Sequence, residues 1–362
     1  MKEAYKPFKI KNVEVKNRLV ASAMFEYGAE NGKITDRIIK HYKNLSEGGF
    51  GLIITGMNAV SASGACAPIM IDTENNEYVS DLKEITDNAH KNGAKIFVQL
   101  QHCGAGTFPM DGYDKFAVGE LENNGVKYHQ ASSDELKKVA EDFASSALKC
   151  KQGGADGVQI HAAHGFLINS FLSPLTNHRT DNYGGSIENR ARLLFEIYHA
   201  IRNAVGNEYP VAVKFPFSDL TENSITKEDS LFVCKQLENM GVDMIEISSG
   251  MVMDGSEASF TPHIRKGKEA PFLESAKAVA DSLNIPVISV CGYRTTEFIE
   301  NVLTNTNITA ISFGRPIVCE SNFPNRWLKD NAPLQCVSCN GCCNSFEDGI
   351  ITCQVKKRGS QK

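Results

Sequence analysis

The sequence predicts one α/β domain in which eight parallel strands, separated by helices, close into a (β/α)₈ barrel. Eight short runs rich in valine and isoleucine recur along the 362 residues, and a stretch of helical character follows each run. The runs do not alternate polar and apolar residues, as a strand with one solvent-exposed face would. We therefore expect strands that are buried on both faces of a parallel sheet. Eight such units close most naturally into a barrel, and a barrel of this length is a single domain.

The strands are expected where these runs lie, at residues 18–22, 50–56, 95–99, 157–160, 211–215, 244–248, 287–290 and 310–313. Two of the intervening helices carry clear start and stop signals. A serine or threonine followed three residues later by an acidic residue predicts a helix N-terminus, and a glycine predicts its end. These signals lie at Ser132 and Glu135 with Gly153 and Gly154, and at Thr226 and Asp229 with Gly241.

Three segments lie outside the repeating pattern. Residues 8–15 alternate polar and apolar side chains, which predicts a hairpin that plugs the N-terminal end of the barrel. Residues 101–131 are rich in glycine, proline and polar residues, as in a lid or binding loop. The residues after Trp327 show no strand or helix pattern. We therefore expect a barrel over residues 1–328 and a cysteine-rich tail over residues 329–362.

Composition excludes several classes of function. The net charge is −5 and no basic block is present, so nucleic acid is not expected as a partner. No apolar stretch reaches the length of a membrane span, and the first residues lack the apolar core of a signal peptide. We expect a cytoplasmic protein with a small-molecule substrate. The sequence leaves the oligomeric state open, a homo-oligomer included.

Two histidines follow the fourth predicted strand, at the end of a barrel where active sites lie. His161 and His164 are three residues apart, and two imidazoles there can donate hydrogen bonds to one carbonyl oxygen. Such donors suit a reaction in which negative charge builds on oxygen as a hydride reaches the β-carbon, and each lowers the barrier by ~3 kcal/mol. On spacing alone, two histidines satisfied in the core or bound to a metal are the favoured interpretation.

The longer motif that contains both histidines favours the catalytic interpretation over the structural one. The segment HAAHGFLINSFLSPLTNHRTDNYGGSIENRAR, residues 161–192, resembles the signature of the Old Yellow Enzyme family, including its dienoyl-CoA reductase and NADH:flavin oxidoreductase branch. VKNRLVASAM at residues 15–24, VQLQHCG at 98–104 and SFGRP at 312–316 support the resemblance, which spans roughly residues 5–328. It implies an FMN-binding barrel that reduces an activated carbon–carbon double bond with NAD(P)H as co-substrate.

The resemblance also implies site residues. His161 and His164 match the pair that binds the activating carbonyl of the substrate. Gln99 matches the glutamine that hydrogen-bonds the flavin pyrimidine edge, and Lys214 stands where the family usually has an arginine near flavin N1 and O2. Lysine keeps the positive charge but loses the planar fork of arginine. The remaining cofactor contacts fall on the first-strand loop, at Ser22, Ala23 and Met24, and on the phosphate-binding positions after the last two strands, Gly292, Gly314 and Arg315.

One departure from the family concerns the proton donor. The family usually places a tyrosine two residues after the second histidine, as the proton donor to the α-carbon. This chain has Phe166 there, which has no proton to give. Tyr27 on the first loop is the first candidate to replace it, ahead of Cys103 and Tyr113. A simple contact of Tyr27 with the flavin edge or the substrate is an equal alternative.

A second departure is Phe25, where one branch of the family has a cysteine that tunes the flavin. Together with Phe166, Phe108 and Met110, it predicts a flat, apolar substrate pocket. Ordinary packing is the alternative interpretation of each of these side chains.

Five of the eleven cysteines crowd the tail. Cys336, Cys339, Cys343 and Cys353 have the spacing C-x₂-C-x₃-C-x₉-C, with Cys342 as an alternative ligand. Thiolates so spaced can hold a [4Fe–4S] cluster, and the arrangement resembles the cluster of the two-flavin dienoyl-CoA reductases. Three interpretations stay open: a cluster fed by an electron-donor flavoprotein, a structural Cys₄ zinc site, or a remnant that binds no metal.

The predicted mechanism is ping-pong. NAD(P)H or a redox partner reduces FMN, and an α,β-unsaturated carbonyl compound then receives a hydride at its β-carbon and a proton at its α-carbon. Three rivals are a barrel lyase with Lys214 as a Schiff base, a non-catalytic electron-transfer module built on the tail, and an oxidative flavoprotein of the same family. Among substrates, enoates, enones, dienoyl thioesters, steroids and flavonoids all stay open.

Overall fold

The computed structural model describes residues 2–106, 115–123, 125–252, 258–265 and 267–359. Its strands are β1 (Phe8–Ile10), β2 (Val13–Val15), β3 (Leu19–Ala21), β4 (Leu52–Ala59), β5 (Ile71–Asp72), β6 (Lys95–Gln101), β7 (Phe116–Ala117), β8 (Leu121–Asn123), β9 (Val126–Gln130), β10 (Gly157–His161), β11 (Val211–Pro216), β12 (Met244–Ser248), β13 (Val287–Val290) and β14 (Ala310–Phe313).

The helices are α1 (Asp36–Glu47), α2 (Tyr78–Lys91), α3 (Ser133–Gln152), α4 (Leu167–Leu172), α5 (Ile187–Arg190), α6 (Arg192–Val205), α7 (Lys227–Met240), α8 (Leu273–Ala280), α9 (Thr296–Asn305), α10 (Arg315–Cys319), α11 (Phe323–Asp330) and α12 (Gln354–Gly359). Single 3₁₀ turns lie at Glu3–Tyr5, Ala62–Gly64, Gly104–Gly106, Gly341–Asn344 and Phe346–Asp348.

Eight parallel strands form a closed barrel, as predicted. Its strands follow the order β3, β4, β6, β10, β11, β12, β13 and β14, and pairing of β14 with β3 closes the sheet. All eight runs identified in the sequence are strands of this barrel. Among the described residues, no helix has the length and apolarity needed to cross a membrane.

The predicted helix signals are confirmed. The Ser132 side chain accepts the backbone N–H of Glu135, whose carboxylate in turn accepts the N–H of Ser132 at 2.7 Å, so α3 begins with a capping box. Thr226 caps α7 by accepting the N–H of Asp229 at 3.1 Å. The same helix ends at Gly241, whose φ of +95° favours glycine.

Side chains that point into the barrel form layers. The layer at the N-terminal end is apolar, and the hairpin β1–β2 plugs it with Phe8, Ile10 and Val15, as predicted. One step further along the strands the inward side chains become polar. This polar layer contains Ser22, Gln99, Gln159, Lys214, Glu246 and Ser312, and it forms the floor of the space above the barrel.

Two segments differ from their predictions. Within residues 101–131, β6 extends to Gln101, and β7, β8 and β9 then form a small three-stranded sheet. The tail, expected to have no regular structure, contains two 3₁₀ turns and the short helix α12. Both sets of elements are too short to produce a hydrophobic period that the sequence would reveal.

Candidate active site

A cavity of about 510 Å³ opens at the C-terminal ends of the barrel strands. Its volume lies in the range of small-molecule sites. It brings together the described site residues that the sequence predicted for the barrel: Ser22, Ala23, Met24, Phe25, Tyr27, Gln99, His161, His164, Phe166, Lys214, Gly292, Gly314 and Arg315. Phe108, Met110 and Tyr113 lie outside the described residues.

The two histidines stand edge to face on the cavity wall. Their ring centroids are 4.9 Å apart, at an interplanar angle of 82°. The backbone N–H of Ala163 donates to Nδ1 of His161 at 3.4 Å, so the neutral ring carries its proton on Nε2. His164 stacks on Phe260 at 4.1 Å, and its Nε2 lies 2.8 Å from the Ser248 hydroxyl. The pair is therefore fixed in orientation.

Both rings are neutral at physiological pH. Burial lowers the pKa of His161 well below its usual range, and the positive charge of Lys214 lowers it further. Burial, His161 and Lys214 together have the same effect on the pKa of His164. A neutral imidazole can polarise a carbonyl through its N–H without giving up that proton, as oxyanion stabilisation requires.

A buried ion pair lies beside the histidines because of the strand register. His161 is aligned with Lys214 on the next strand, and Lys214 with Glu246 on the strand after that. The Lys214 ammonium lies 3.5 Å from Oε2 of Glu246 and donates to the Ser22 hydroxyl at 3.2 Å. The cation predicted at this position is present, with a carboxylate as its partner.

Glu246 is the centre of this polar layer. It accepts hydrogen bonds from Ser312 at 2.6 Å, from Ser22 at 2.7 Å and from Gln159 at 3.0 Å. Burial alone would raise the pKa of Glu246, but Lys214 and these three donors outweigh burial, and the pKa is lowered. Gln99 joins the network by donating to Oε1 of Gln159 at 2.7 Å.

The far end of the cavity is suited to an anion. Arg315 at the start of α10 is buried and donates to the carbonyl of Pro262 at 2.9 Å and to Oδ1 of Asn340. Gly292 has a φ of +81°, which favours glycine, and both Gly292 and Gly314 line the cavity. A guanidinium beside backbone that carries no side chain is a suitable setting for a phosphate.

The FMN assignment agrees with this set of donors. The cationic end can accept the phosphate, and Gln99, Lys214 and Ser22 present polar atoms in mid-cavity. Met24 packs so closely on Gly314 that a Cβ there would lie 3.0 Å from its sulfur. The residues therefore fit a molecule with a polar ring edge and a phosphate.

Tyr27 lies on the cavity wall, but its hydroxyl is occupied. The hydroxyl donates to the backbone carbonyl of Cys343 at 3.0 Å, and the ring packs 4.5 Å from that of Phe25. Burial raises the pKa of Tyr27, and the neighbouring cysteines raise it further. This geometry favours the wall contact over proton donation. Cys103 is buried behind the wall and does not line the cavity.

The tail packs against the loop that follows β3. Besides the hydrogen bond from Tyr27 to Cys343, the N–H of Ile351 donates to the carbonyl of Glu26 at 2.6 Å. Cys336 and Cys343 line the main cavity. A second cavity of about 230 Å³ lies on the other side of Arg315, lined by Cys319, Cys336, Cys339, Cys342 and Cys353.

The predicted metal ligands are thus divided between two cavities. Among the described residues, no group of three or more His, Cys, Asp or Glu side chains is arranged to hold a metal ion. The structure therefore does not support a cluster bound by Cys336, Cys339, Cys343 and Cys353. Cys342, the alternative ligand, faces the second cavity, because adjacent residues in a 3₁₀ turn point in different directions.

Glu26 should make the stability of the protein depend on pH. It is buried, Oε1 accepts from the Tyr42 hydroxyl and the Gly56 N–H, and Oε2 has no partner among the described residues. Burial raises the pKa of Glu26 from 4.5 to about 7, despite these hydrogen bonds. A raised pKa stabilises the fold below pH 4.5, and this contribution of about 3 kcal/mol is lost as pH rises through 7.

We expect Glu26→Gln to remove this pH dependence. The free energy of unfolding of the wild type, measured in urea, should fall relative to that of the variant between pH 4.5 and 7. Glu84→Gln, at an exposed position on α2, is the control and should follow the wild type. Parallel curves for wild type and Glu26→Gln would contradict the assignment.

Sequence reasoning missed three polar residues of the site: Gln159, Glu246 and Ser312. Each is the inward-pointing polar residue of an otherwise apolar strand, in GVQI, MIEIS and AISF. A charged or amide side chain at a fixed position within several buried strands was the signal that could have revealed them, because such a group must find a partner.

Comparison with known proteins places the chain in a family. The family model described as "NADH:flavin oxidoreductase / NADH oxidase family" matches residues 3–335. The chain is 30% identical to NADH oxidase of Thermoanaerobacter brockii over 358 residues, 96% of this chain and 54% of that protein. It is 32% identical to NADPH dehydrogenase of Listeria welshimeri over 322 residues, 88% of this chain and 92% of that protein.

A solved structure gives the same picture of the fold. The 2-naphthoyl-CoA reductase complex with 2-naphthoyl-CoA superposes with a TM-score of 0.89 at 25% identity, covering 98% of this chain and 56% of that one. The chain thus spans about half the length of two of the proteins that it matches. The resemblance drawn from the sequence motifs is confirmed.

Proposed function

Since the chain belongs to the NADH:flavin oxidoreductase / NADH oxidase family, we propose that it is an FMN-dependent ene-reductase. Its substrate is an α,β-unsaturated carbonyl compound, and NAD(P)H is the reductant. The observation that carries the proposal is the neutral, buried pair His161 and His164, held in one orientation on the wall of an apolar cavity.

The proposal assigns the cofactor contacts to residues that line one cavity. Arg315, Gly292 and Gly314 would hold the phosphate, Gln99 and Lys214 would hold the polar edge of the ring, and Ser22, Ala23 and Met24 would lie against the ring. Bound FMN supplies the hydride chemistry, which no protein side chain can provide. Lys214 is paired with Glu246, so its positive charge stays fixed in the polar layer, where it would stabilise negative charge on the ring.

His161 and His164 act on the substrate. Their N–H groups bind its carbonyl oxygen and stabilise the negative charge that develops there as the β-carbon is reduced. Phe25 and Phe166 form the apolar wall on which a flat substrate would pack. Of the two interpretations of Tyr27, we propose the wall contact, because its hydroxyl is bonded to Cys343.

The Schiff-base lyase is disfavoured by the same ion pair. A lysine that attacks a carbonyl must be neutral, and enzymes obtain this with an apolar pocket or a neighbouring cation. Lys214 instead has a carboxylate 3.5 Å away. The site of Lys214 is therefore neither an apolar pocket nor one next to a second cation, as a Schiff-base lysine requires.

We do not favour the alternative, an electron-transfer flavoprotein that a partner feeds through a [4Fe–4S] cluster. Four tail cysteines line the second cavity, at Cys336, Cys339, Cys342 and Cys353, with the spacing C-x₂-C-x₂-C-x₁₀-C. Among the described residues, however, no such group is arranged to hold a metal ion. Iron and sulfide assays on anaerobically purified protein decide between this candidate and a tail without a metal.

The test of the main proposal is a reconstitution. We expect the protein to bind FMN with quenching of flavin fluorescence, and then to oxidise more than one equivalent of NADH or NADPH anaerobically only when an enone such as cyclohexenone is present. The saturated ketone is the expected product. Failure to bind FMN, or NAD(P)H oxidation that no enone accelerates, would contradict the proposal.

A further inference from the structure

We propose that Cys66 is the catalytic acid of this site, the group that gives a proton to the α-carbon of the substrate. This inference rests on the proposed ene-reductase function. It assigns a chemical role to a thiol on the cavity wall. The assignment follows from what the reaction consumes and from which cavity side chains have a proton to give.

Reduction of a carbon–carbon double bond needs a hydride at one carbon and a proton at the other. Most proton-bearing side chains on the wall are already bonded within the protein. The Tyr27 hydroxyl donates to Cys343, that of Ser22 to Glu246, and that of Tyr293 to Ser289. The two histidine N–H groups are needed at the carbonyl oxygen.

Cys66 lies on the part of the cavity wall that Phe166 also lines. It follows the 3₁₀ turn after β4 and belongs to a small apolar cluster against which Phe25, Met57 and Phe166 pack. Phe166 in turn lies 5.4 Å from the ring of His161, centroid to centroid. Phe166 thus contacts both the ring of His161 and the cluster that contains Cys66, and the proposal places the α-carbon of the substrate beside this cluster.

The Cys66 thiol is weakly held. Its Sγ lies 3.5 Å from the thioether sulfur of Met70, which also accepts the backbone N–H of Cys66 at 3.5 Å. A thioether is a weak acceptor, so the contact orients the S–H group without retaining its proton. This distinguishes Cys66 from the hydroxyls of Tyr27, Ser22 and Tyr293, which donate to carbonyl, carboxylate or hydroxyl oxygens.

Cys103 lies beside Cys66 in the same apolar cluster. It is buried, the amide of Gln101 donates to its sulfur at 3.1 Å, and that sulfur lies 4.0 Å from the thioether sulfur of Met70. Burial, and then the contact with Cys66, raise the pKa of Cys103 well above its usual range, so Cys103 stays protonated. Its S–H group is therefore available to the Cys66 sulfur once that sulfur has given up its proton.

The atoms and electrons balance. The π bond of the substrate breaks, the β-carbon gains the hydride that the reduced cofactor supplies, and the α-carbon gains the proton of the Cys66 S–H bond. The S–H electron pair stays on sulfur as the thiolate. Water entering the cavity returns the proton before the next turnover.

The test uses the full chain loaded with FMN and reduced with NAD(P)H, then mixed anaerobically with cyclohexenone. Cys66→Ala and Cys66→Ser should reoxidise about 10²- to 10⁴-fold more slowly than wild type, the usual worth of a general acid. Reoxidation by benzoquinone, whose product is protonated on oxygen, should be unchanged. Cys234→Ala removes a buried thiol of α7 far from the cavity and is the matched control.

Two further readouts separate acid catalysis from packing. With an α-methyl-substituted cyclohexenone, wild type should deliver the proton to one face, whereas Cys66→Ala should give nearly racemic product. In the protein without FMN, chloroacetamide should alkylate Cys66, and mass spectrometry identifies the labelled residue. Saturating cyclohexanone should slow this labelling.

Wild-type rates and wild-type product stereochemistry in both Cys66 variants would overturn the inference and leave the proposed function intact. Failure of the wild type itself to be reoxidised by any enone would instead contradict the proposed function on which the inference rests. Equal slowing of reoxidation with the enone and with benzoquinone would also overturn the inference about Cys66. A loss of rate that does not depend on protonation of carbon would be a structural effect.

Discussion

Replacing His161 with alanine should lower the turnover number for an enone by about 10²- to 10³-fold, because it removes one preorganised donor to the developing oxyanion. The ring is neutral and its Nδ1 accepts a backbone N–H, so the proton on Nε2 is available to the substrate. The loss should appear in the turnover number more than in the Michaelis constant, since the bond strengthens as charge develops.

Two variants check the physical reason. His161→Asn restores an N–H donor of similar reach and should recover part of the lost rate, because the amide can also donate to an oxyanion. His199→Ala, on the exposed face of α6, is the matched control and should behave as wild type. Reduction of the cofactor by NAD(P)H should change little, since no oxyanion forms in that half-reaction.

The pH profile offers an independent check. Both histidines have a pKa lowered by burial, and Lys214 lowers it further. The turnover number of wild type should therefore show no titration near the ordinary histidine pKa of about 6.5. An inflection there that disappears in His161→Ala would mean that the ring is charged in the working enzyme and acts as an acid.

Glu246→Leu should be the most destabilising single change in the site. It leaves the Lys214 ammonium buried without its carboxylate, and removing one partner of a buried ion pair costs about 3 to 5 kcal/mol. It also deprives Ser22, Ser312 and Gln159 of their acceptor. The measurement is the free energy of unfolding in urea, made without FMN so that cofactor loss does not contribute.

The double variant Glu246→Leu with Lys214→Met distinguishes an unpaired charge from a packing defect. Apolar replacement of a whole buried ion pair is often neutral, so the double variant should recover much of the stability that the single variant loses. Glu84→Leu, at an exposed position on α2, is the control for removing a carboxylate. A double variant less stable than Glu246→Leu would show that Lys214 needs no partner.

The barrel was predictable because each strand is continuously apolar and lies between helices with clear signals. The capping box of α3 and the N-cap of α7 were predictable for a local reason, since the groups involved are only three residues apart. The hairpin β1–β2 could also be predicted from its alternation of polar and apolar side chains. These features depend on short stretches of chain, which a sequence displays directly.

The polar layer was not predictable in the same way. Lys214 was identified as a cation, but its pairing with Glu246 depends on the register between β11 and β12. Proton donation by Tyr27 would need a free hydroxyl, but this hydroxyl donates to the backbone carbonyl of Cys343 in the tail. The grouping of Cys342 rather than Cys343 with the other tail cysteines depends on the direction of one 3₁₀ turn. Each of these outcomes is set by contacts between distant segments.

The central claim is that this site reduces a carbon–carbon double bond, and one anaerobic single turnover tests it most directly. Protein loaded with FMN and reduced with one equivalent of NAD(P)H is mixed with cyclohexenone while flavin absorbance is followed. We predict that the oxidised flavin spectrum returns and that one equivalent of cyclohexanone forms. A flavin that stays reduced with cyclohexenone and with other enones, and is reoxidised only when oxygen is admitted, would contradict the account.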